Sequence, residues 1–171
     1  MTRRTLIRTG IGLLGGLVGG GLLARHGSGT PAAAGDGPFP VTRSEAEWRQ
    51  VLTPAQYEVL RDHGTERAGS SPLNAEKRAG IFQCAGCGHP LFDSATKYES
   101  GTGWPSFWRP LDGAVGTATD YRLIFPRTEV HCANCGGHLG HVFDDGPPPT
   151  GKRYCMYGVA IVFRPAGTAA S

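Results

Sequence analysis

Two Cys-x-x-Cys pairs limit what this chain can fold into more than any other feature. They read Cys84-Ala-Gly-Cys87 and Cys132-Ala-Asn-Cys135, and each is followed directly by glycine. The spacing lets two sulfurs from one tight turn reach one ion, and the glycine lets the backbone fold over so that amides can face the sulfurs. Two such turns complete a tetrahedral four-sulfur site, with Zn2+ as the expected occupant. Forty-four residues separate Cys87 from Cys132, more than in a simple zinc ribbon. A metal bound there would tie together the ends of whatever folds between the pairs. Spacing alone leaves other uses open. A thioredoxin-type redox dithiol would want a βαβ setting, which this sequence lacks. Structural disulfides suit an oxidising compartment, and an iron–sulfur centre takes the same ligands.

The region around the pairs reads as β-rich. With 27 glycines and 13 prolines in 171 residues, short elements joined by turns are favoured over a helical bundle. From Gly80 onward, short apolar runs alternate with Gly, Pro and Asp turns. Ile81–Gln83, Tyr121–Phe125, Leu139–Phe143, Arg153–Met156 and Val159–Phe163 are predicted strands. Upstream, Ser44 with Glu47 fits a capping box that opens a helix running to about Val51. Thr53-Pro54 starts a second helix, with Leu52, Tyr57 and Leu60 on its inner side and Gly64 at its end.

Charge divides the chain. Residues 1–34 hold Arg3, Arg4, Arg8 and Arg25 and no acid, leaving 13 basic and 14 acidic side chains in the rest. A body so close to neutral offers no electrostatic case for nucleic acid or an anionic membrane. The first 34 residues read as an export signal. A basic start is followed by an uncharged run from Gly10 to Ala24, too short and too glycine-rich for a good spanning helix. Pro31 and Ala32–Ala34 then supply a small-residue cleavage site. Thr2-Arg3-Arg4-Thr5-Leu6-Ile7 resembles a twin-arginine signal; an ordinary secretory signal and an uncleaved anchor are the alternatives. Residues 35–43 then form a linker, 44–166 the folded domain and 167–171 a tail, in a periplasmic or otherwise extracytoplasmic chain.

The fifth cysteine makes the count odd, so complete internal pairing is excluded. Cys155 sits in Gly151-Lys-Arg-Tyr-Cys-Met-Tyr-Gly158; on a strand, Arg153, Cys155 and Tyr157 would share one face. A neighbouring cation favours the thiolate form of a cysteine, whereas an inert buried cysteine is the plainer alternative. Two other clusters bear on this choice. Ser100-Gly-Thr-Gly-Trp-Pro-Ser-Phe107 could present the Trp104 indole as an apolar wall with one donor. His138-Leu-Gly-His141 beside Asp145 offers imidazoles suited to proton transfer, or else a metal pair or two surface histidines.

Taken in order, these motifs together with Arg127-Thr-Glu-Val130, Asp145-Gly-Pro, Pro149-Thr-Gly151 and Arg153-Tyr-Cys155 resemble the methionine-R-sulfoxide reductase B family over about residues 45–165. The resemblance implies a mainly β, tent-like fold of two antiparallel sheets with short N-terminal helices, and a zinc site away from the catalytic pocket. It implies reduction of the R epimer of methionine sulfoxide, mainly in oxidised proteins. Carried over by position, Cys155 is the nucleophile, left as a sulfenic acid. His138 and His141 shape and protonate the site, Trp104 holds the substrate methyl group, and Arg153 and Asp145 set its charge. Thr102 stands where many relatives carry a resolving cysteine, which implies recycling by an external, thioredoxin-like thiol. Tyr157 and Gly158 stand where the family usually has Asn and often Ser. Nothing in the sequence calls for an oligomer. A zinc-stabilised binding module and a general thiol oxidoreductase or peroxidase are the competing classes.

Overall fold

The computed structural model describes residues 39–167. The expected export signal, residues 35–38 of the linker and the last four residues lie outside the described residues. Two seven-residue helices, α1 (Glu45–Val51) and α2 (Pro54–Leu60), precede nine strands. Both helices open on capping boxes, Ser44 with Glu47 and Thr53 with Gln56, which satisfy amides that so short a helix would leave bare. The second helix stops at Leu60 rather than at Gly64, with Arg61 as its C-cap.

The strands are β1 (Gly80–Cys84), β2 (Pro90–Asp93), β3 (Lys97–Tyr98), β4 (Ser106–Phe107), β5 (Val115–Asp120), β6 (Arg127–Cys132), β7 (His138–Phe143), β8 (Arg153–Met156) and β9 (Ile161–Pro165). They form two sheets, one in the order β2-β1-β9 and one in the order β3-β4-β8-β7-β6-β5. All the pairings are antiparallel, so the domain is mainly β with short N-terminal helices. Phe82 and Phe92 from the small sheet meet Phe107 from the large one, with ring centroids 4.9 and 4.3 Å from it. All three rings are fully buried, each contributing about 1.5–3 kcal/mol by area. The helical arm adds Trp48, Leu52, Tyr57, Val59 and Leu60 to the same core.

Tyr121–Phe125 is not a strand. It is the exposed tip of the β5–β6 hairpin, whose last registered pair is Asp120 with Arg127. The Asp120 side chain accepts from the Arg122 amide at 2.9 Å and from Arg127 Nη2 at 2.7 Å, which turns the chain at that point. Pro126 has no N–H to extend the ladder.

Candidate active site and four-cysteine cluster

Each Cys-x-x-Cys pair is the turn of a hairpin. Cys84 ends β1 and Cys87 precedes β2; Cys132 ends β6 and Cys135 precedes β7. The two turns repeat one geometry. Gly88 N–H donates to the Cys84 carbonyl at 2.8 Å, and Gly136 N–H to that of Cys132 at 2.9 Å. Both glycines are left-handed, with φ 72° and 67°, which explains the glycine after each pair. The hairpins come from different sheets and their sulfurs interleave. Cys84 Sγ lies 3.7 Å from Cys135 Sγ, and Cys87 Sγ 3.6 Å from Cys132 Sγ. All four sulfurs fall within 4.8 Å of one another, and none is in a disulfide. Zinc–sulfur bonds of about 2.3 Å in a tetrahedron set the sulfurs about 3.8 Å apart, so the cluster fits such an ion. Thiolates this close cannot all ionise without a cation between them. Arg61 closes the cluster from the arm, donating to the Cys135 carbonyl at 3.0 Å.

Cys155 has different surroundings. It lies on β8 opposite His141 of β7 and Ser106 of β4. Alternation along β8 sends Met156 into the core, and Tyr154 packs 5.9 Å from Phe92. Cys155 is left half-buried at a cavity of about 120 Å³ lined by Thr65, Trp104, Arg127, His141, Phe143, Cys155 and Tyr157. Two larger hollows, of about 670 and 490 Å³, are lined by no cysteine or histidine. None of the four clustered cysteines lines the small cavity. Five residue steps along β6 lead from Arg127 to Cys132, roughly 16 Å of strand.

The walls are held by identifiable bonds. Trp104 Nε1 donates to the Glu66 carbonyl at 3.0 Å, fixing the indole. Glu66 Oε2 also accepts from the Gly158 amide at 2.6 Å, so the chain after α2 braces both sides of the cavity. Tyr157 OH donates to Thr65 Oγ1 at 3.3 Å. The Tyr157 ring is buried and meets Trp104 edge-on at 6.3 Å. Thr102 Oγ1 lies 3.7 Å from Cys155 Sγ. Gly140 gives β7 its close approach to β8, because a Cβ there would run into the Cys155 carbonyl.

Both histidines are buried and each has its own carboxylate. His141 Nε2 donates to Asp120 Oδ2 at 2.8 Å, and His138 Nδ1 donates to Glu129 Oε1 at 2.7 Å. Each bond fixes a tautomer and leaves the other ring nitrogen as the lone pair. Burial pushes His138 down to about 4 despite Glu129, and burial likewise lowers His141 against the pull of Asp120. Burial alone would raise Asp120, but the Arg122 amide, His141 and Arg127 hold it well below the usual carboxylate range. His63 stacks on His138 with centroids 4.8 Å apart.

The structure therefore brings Cys155, His141 and Trp104 to one cavity. His138 stands behind, 5.3 Å from His141 by ring centroids. Arg153 and Asp145 do not line the cavity. The Arg153 guanidinium pairs with Asp145 at 2.7 and 2.8 Å and lies over the Phe143 ring at 4.3 Å, supporting that wall from outside. Sequence reasoning gave no role to Asp120, Glu129, Arg127, Thr65 or Phe143. Arg127 and Glu129 stood in a quoted motif, but only strand register reveals what they face. Arg127 Nε is buried without a partner among the described residues, so a donor remains for a ligand.

A half-buried thiol across from an imidazole, in a cavity walled by aromatic rings, is the candidate active site of a β scaffold that carries a separate four-cysteine cluster. The SelR domain model matches residues 52–165. The chain is 53% identical over 126 residues to the peptide methionine sulfoxide reductase MsrB of Agrobacterium fabrum, covering 73% of this chain and 93% of that one. It is 52% identical over 134 residues to the MsrB of Leifsonia xyli, covering 77% and 96%. To the chloroplastic peptide methionine sulfoxide reductase B1 of Arabidopsis thaliana it is 54% identical over 119 residues, covering 69% and 59%. The chain belongs to the SelR, or MsrB, family of methionine sulfoxide reductases and is an enzyme of that family.

Proposed function

We propose that this chain reduces the R epimer of methionine sulfoxide, chiefly in oxidised proteins, by moving the sulfoxide oxygen onto Cys155. The observation that carries the reading is Cys155 paired across the strands with His141 at one cavity with Trp104. Directly opposed residues on neighbouring strands have β-carbons about 4.5–5.5 Å apart, within proton-transfer reach of a thiol and an imidazole. His141 is held neutral with Nε2–H on Asp120, so Nδ1 can take the Cys155 proton. The thiolate then adds to the electrophilic sulfoxide sulfur, and the imidazolium returns the proton to the oxygen as the S–O bond breaks and hydroxide leaves; hydroxide then adds to the Cys155 sulfur, the new S–S bond breaks, and methionine departs. Sulfoxide and thiol give methionine and a Cys155 sulfenic acid, with every atom accounted for. Arg127 Nε is a further donor for the sulfoxide oxygen, and Trp104, Phe143 and Tyr157 wall the space for the methyl group.

Thr102 stands close to Cys155 and has no thiol, so the sulfenic acid is reduced from outside. Two external thiols, as in a thioredoxin-like donor, regenerate Cys155 with release of water and one disulfide. The four-cysteine cluster binds one structural Zn2+, which ties the β1–β2 and β6–β7 hairpins together. Export through residues 1–34, with repair outside the cytoplasm, completes the reading; its support is the sequence pattern.

The test is incubation of the protein with both epimers of a methionyl-sulfoxide peptide and dithiothreitol. Loss of the R epimer alone, abolished in Cys155→Ser, is expected. Turnover of neither epimer would favour a binding module, and consumption of peroxide alone a peroxidase.

A further inference from the structure

Among the described residues five large apolar or aromatic side chains are exposed, and four of them fall in one stretch: Tyr121, Leu123, Ile124 and Phe125. Ile124 is 94% exposed and Phe125 79%. None of them belongs to the hydrophobic core, and clustered apolar exposure of this kind marks a contact surface. Their position says what makes the contact. The tip belongs to the β5–β6 hairpin, and the base of that hairpin is part of the candidate site. Arg127 lines the cavity, and Asp120, its partner across the strands, holds His141. Arg122, the charged residue within the tip, is turned aside. Its guanidinium donates to the Asp62 carbonyl at 3.1 Å, leaving Leu123–Phe125 as an unbroken apolar run ahead of Pro126.

We propose that this tip is a docking surface for the unfolded polypeptide that carries the oxidised methionine, engaging apolar residues a few positions from the sulfoxide. The proposal rests on the reductase reading above and adds how the substrate chain is recognised. Methionine is a core residue, and oxidation makes it polar and disrupts the packing around it. A buried methionine once oxidised is therefore presented on a loosened segment whose neighbours are themselves apolar. Leu123–Phe125 lie two to four residues from Arg127. At about 3.3–3.6 Å per residue, that reach matches substrate side chains roughly two to four positions from the one in the cavity.

The experiment compares the full chain with the triple variant Leu123→Ser, Ile124→Ser, Phe125→Ser. Substrates are N-acetyl-methionine-R-sulfoxide and two eleven-residue peptides with a central methionine-R-sulfoxide, one flanked by Leu and Val and one by Ser and Gly. The wild type is expected to prefer the apolar peptide by about five- to tenfold in kcat/KM, through KM. The variant should bring that ratio close to one while turnover of the acetylated amino acid stays within about twofold. Equal kcat/KM for both peptides in the wild type would overturn the docking surface alone, because reduction of the small substrate would still stand. An equal fall on all three substrates in the variant would also overturn it, making the tip a support of the cavity. Tip-dependent sedimentation with phosphatidylcholine or phosphatidylglycerol vesicles, or a tip-dependent dimer, without a change in the peptide ratio would replace it by a lipid or self-contact surface. An inactive wild type would remove the reductase reading and this proposal together.

Discussion

The same side chain is put to two uses at two places in this domain. At the β1–β2 and β6–β7 turns, four cysteines face one another behind Trp48, Leu60 and Arg61, each pair folded over by a left-handed glycine. On β8, one cysteine faces an imidazole, a hydroxyl and open space. The first arrangement surrounds a point that a tetrahedrally bound cation fits. The second leaves a sulfur beside a cavity open to a small ligand. Turn geometry makes the first and strand pairing the second. A cysteine is thus assigned to structure or to chemistry by its neighbours, and the two regions should respond differently to the same substitution.

The largest effect is expected at the turns. On the zinc proposal, Cys84→Ser removes one of four ligands, and structural zinc contributes about 10 kcal/mol or more, comparable to the whole stability of a domain. Bound zinc, measured by elemental analysis, should fall from one per chain towards none, and cooperative thermal unfolding should disappear. A variant that still melts near the wild-type temperature would break the contrast. Cys155→Ser comes next and should do the reverse. Turnover should fall by at least about a thousandfold, as for loss of a nucleophile, with the melting temperature within a few degrees of wild type.

Acid should sharpen the comparison on the catalytic side. His138 is pushed down to about 4 from an ordinary 6.5, so between those values the unfolded chain binds the extra proton. Stability is therefore full above about pH 6.5 and is lost as pH falls towards 4, by on the order of 3 kcal/mol. His141 acts in the same direction. Urea unfolding at pH 7.5 and pH 5 should show the loss, and His138→Asn should narrow the gap between the two curves. The smallest effect is expected of Asp120→Asn. The substitution keeps the size of the side chain but weakens its hold on His141, so turnover should fall by about ten- to a hundredfold and the pH–rate profile should shift. A drop with no change of profile would make Asp120 a hairpin tie only.

Much of this was legible in the sequence, for reasons that differ by element. The capping boxes at Ser44 and Thr53 and the paired Cys-x-x-Cys-Gly turns depend on residues within a few positions of one another, and local geometry follows from local spacing. The alternation that places Cys155 away from the core is equally local. What the sequence hid was set by pairing at a distance. Glu129 and Asp120 reach the histidines only because β6 lies between β5 and β7, with an irregularity in register after Val130. Thr65 and Glu66 reach the cavity across about ninety residues of chain, at Tyr157 and Gly158. Tyr121–Phe125 misled because an apolar aromatic run suits a buried strand and an exposed hairpin tip alike. The Asp120 turn and Pro126 decide between them, and their effect depends on where β5 ends.

The contrast between one reactive sulfur and four enclosed ones is tested most directly by a single turnover without reductant. The protein is mixed with excess methionyl-R-sulfoxide peptide and its intact mass is read, followed by mapping of the modified residue. The account predicts one methionine formed per chain and one oxygen gained at Cys155, with the other four cysteines unchanged. A chain lighter by two hydrogens, with Cys155 joined to Cys84, Cys87, Cys132 or Cys135, would contradict it.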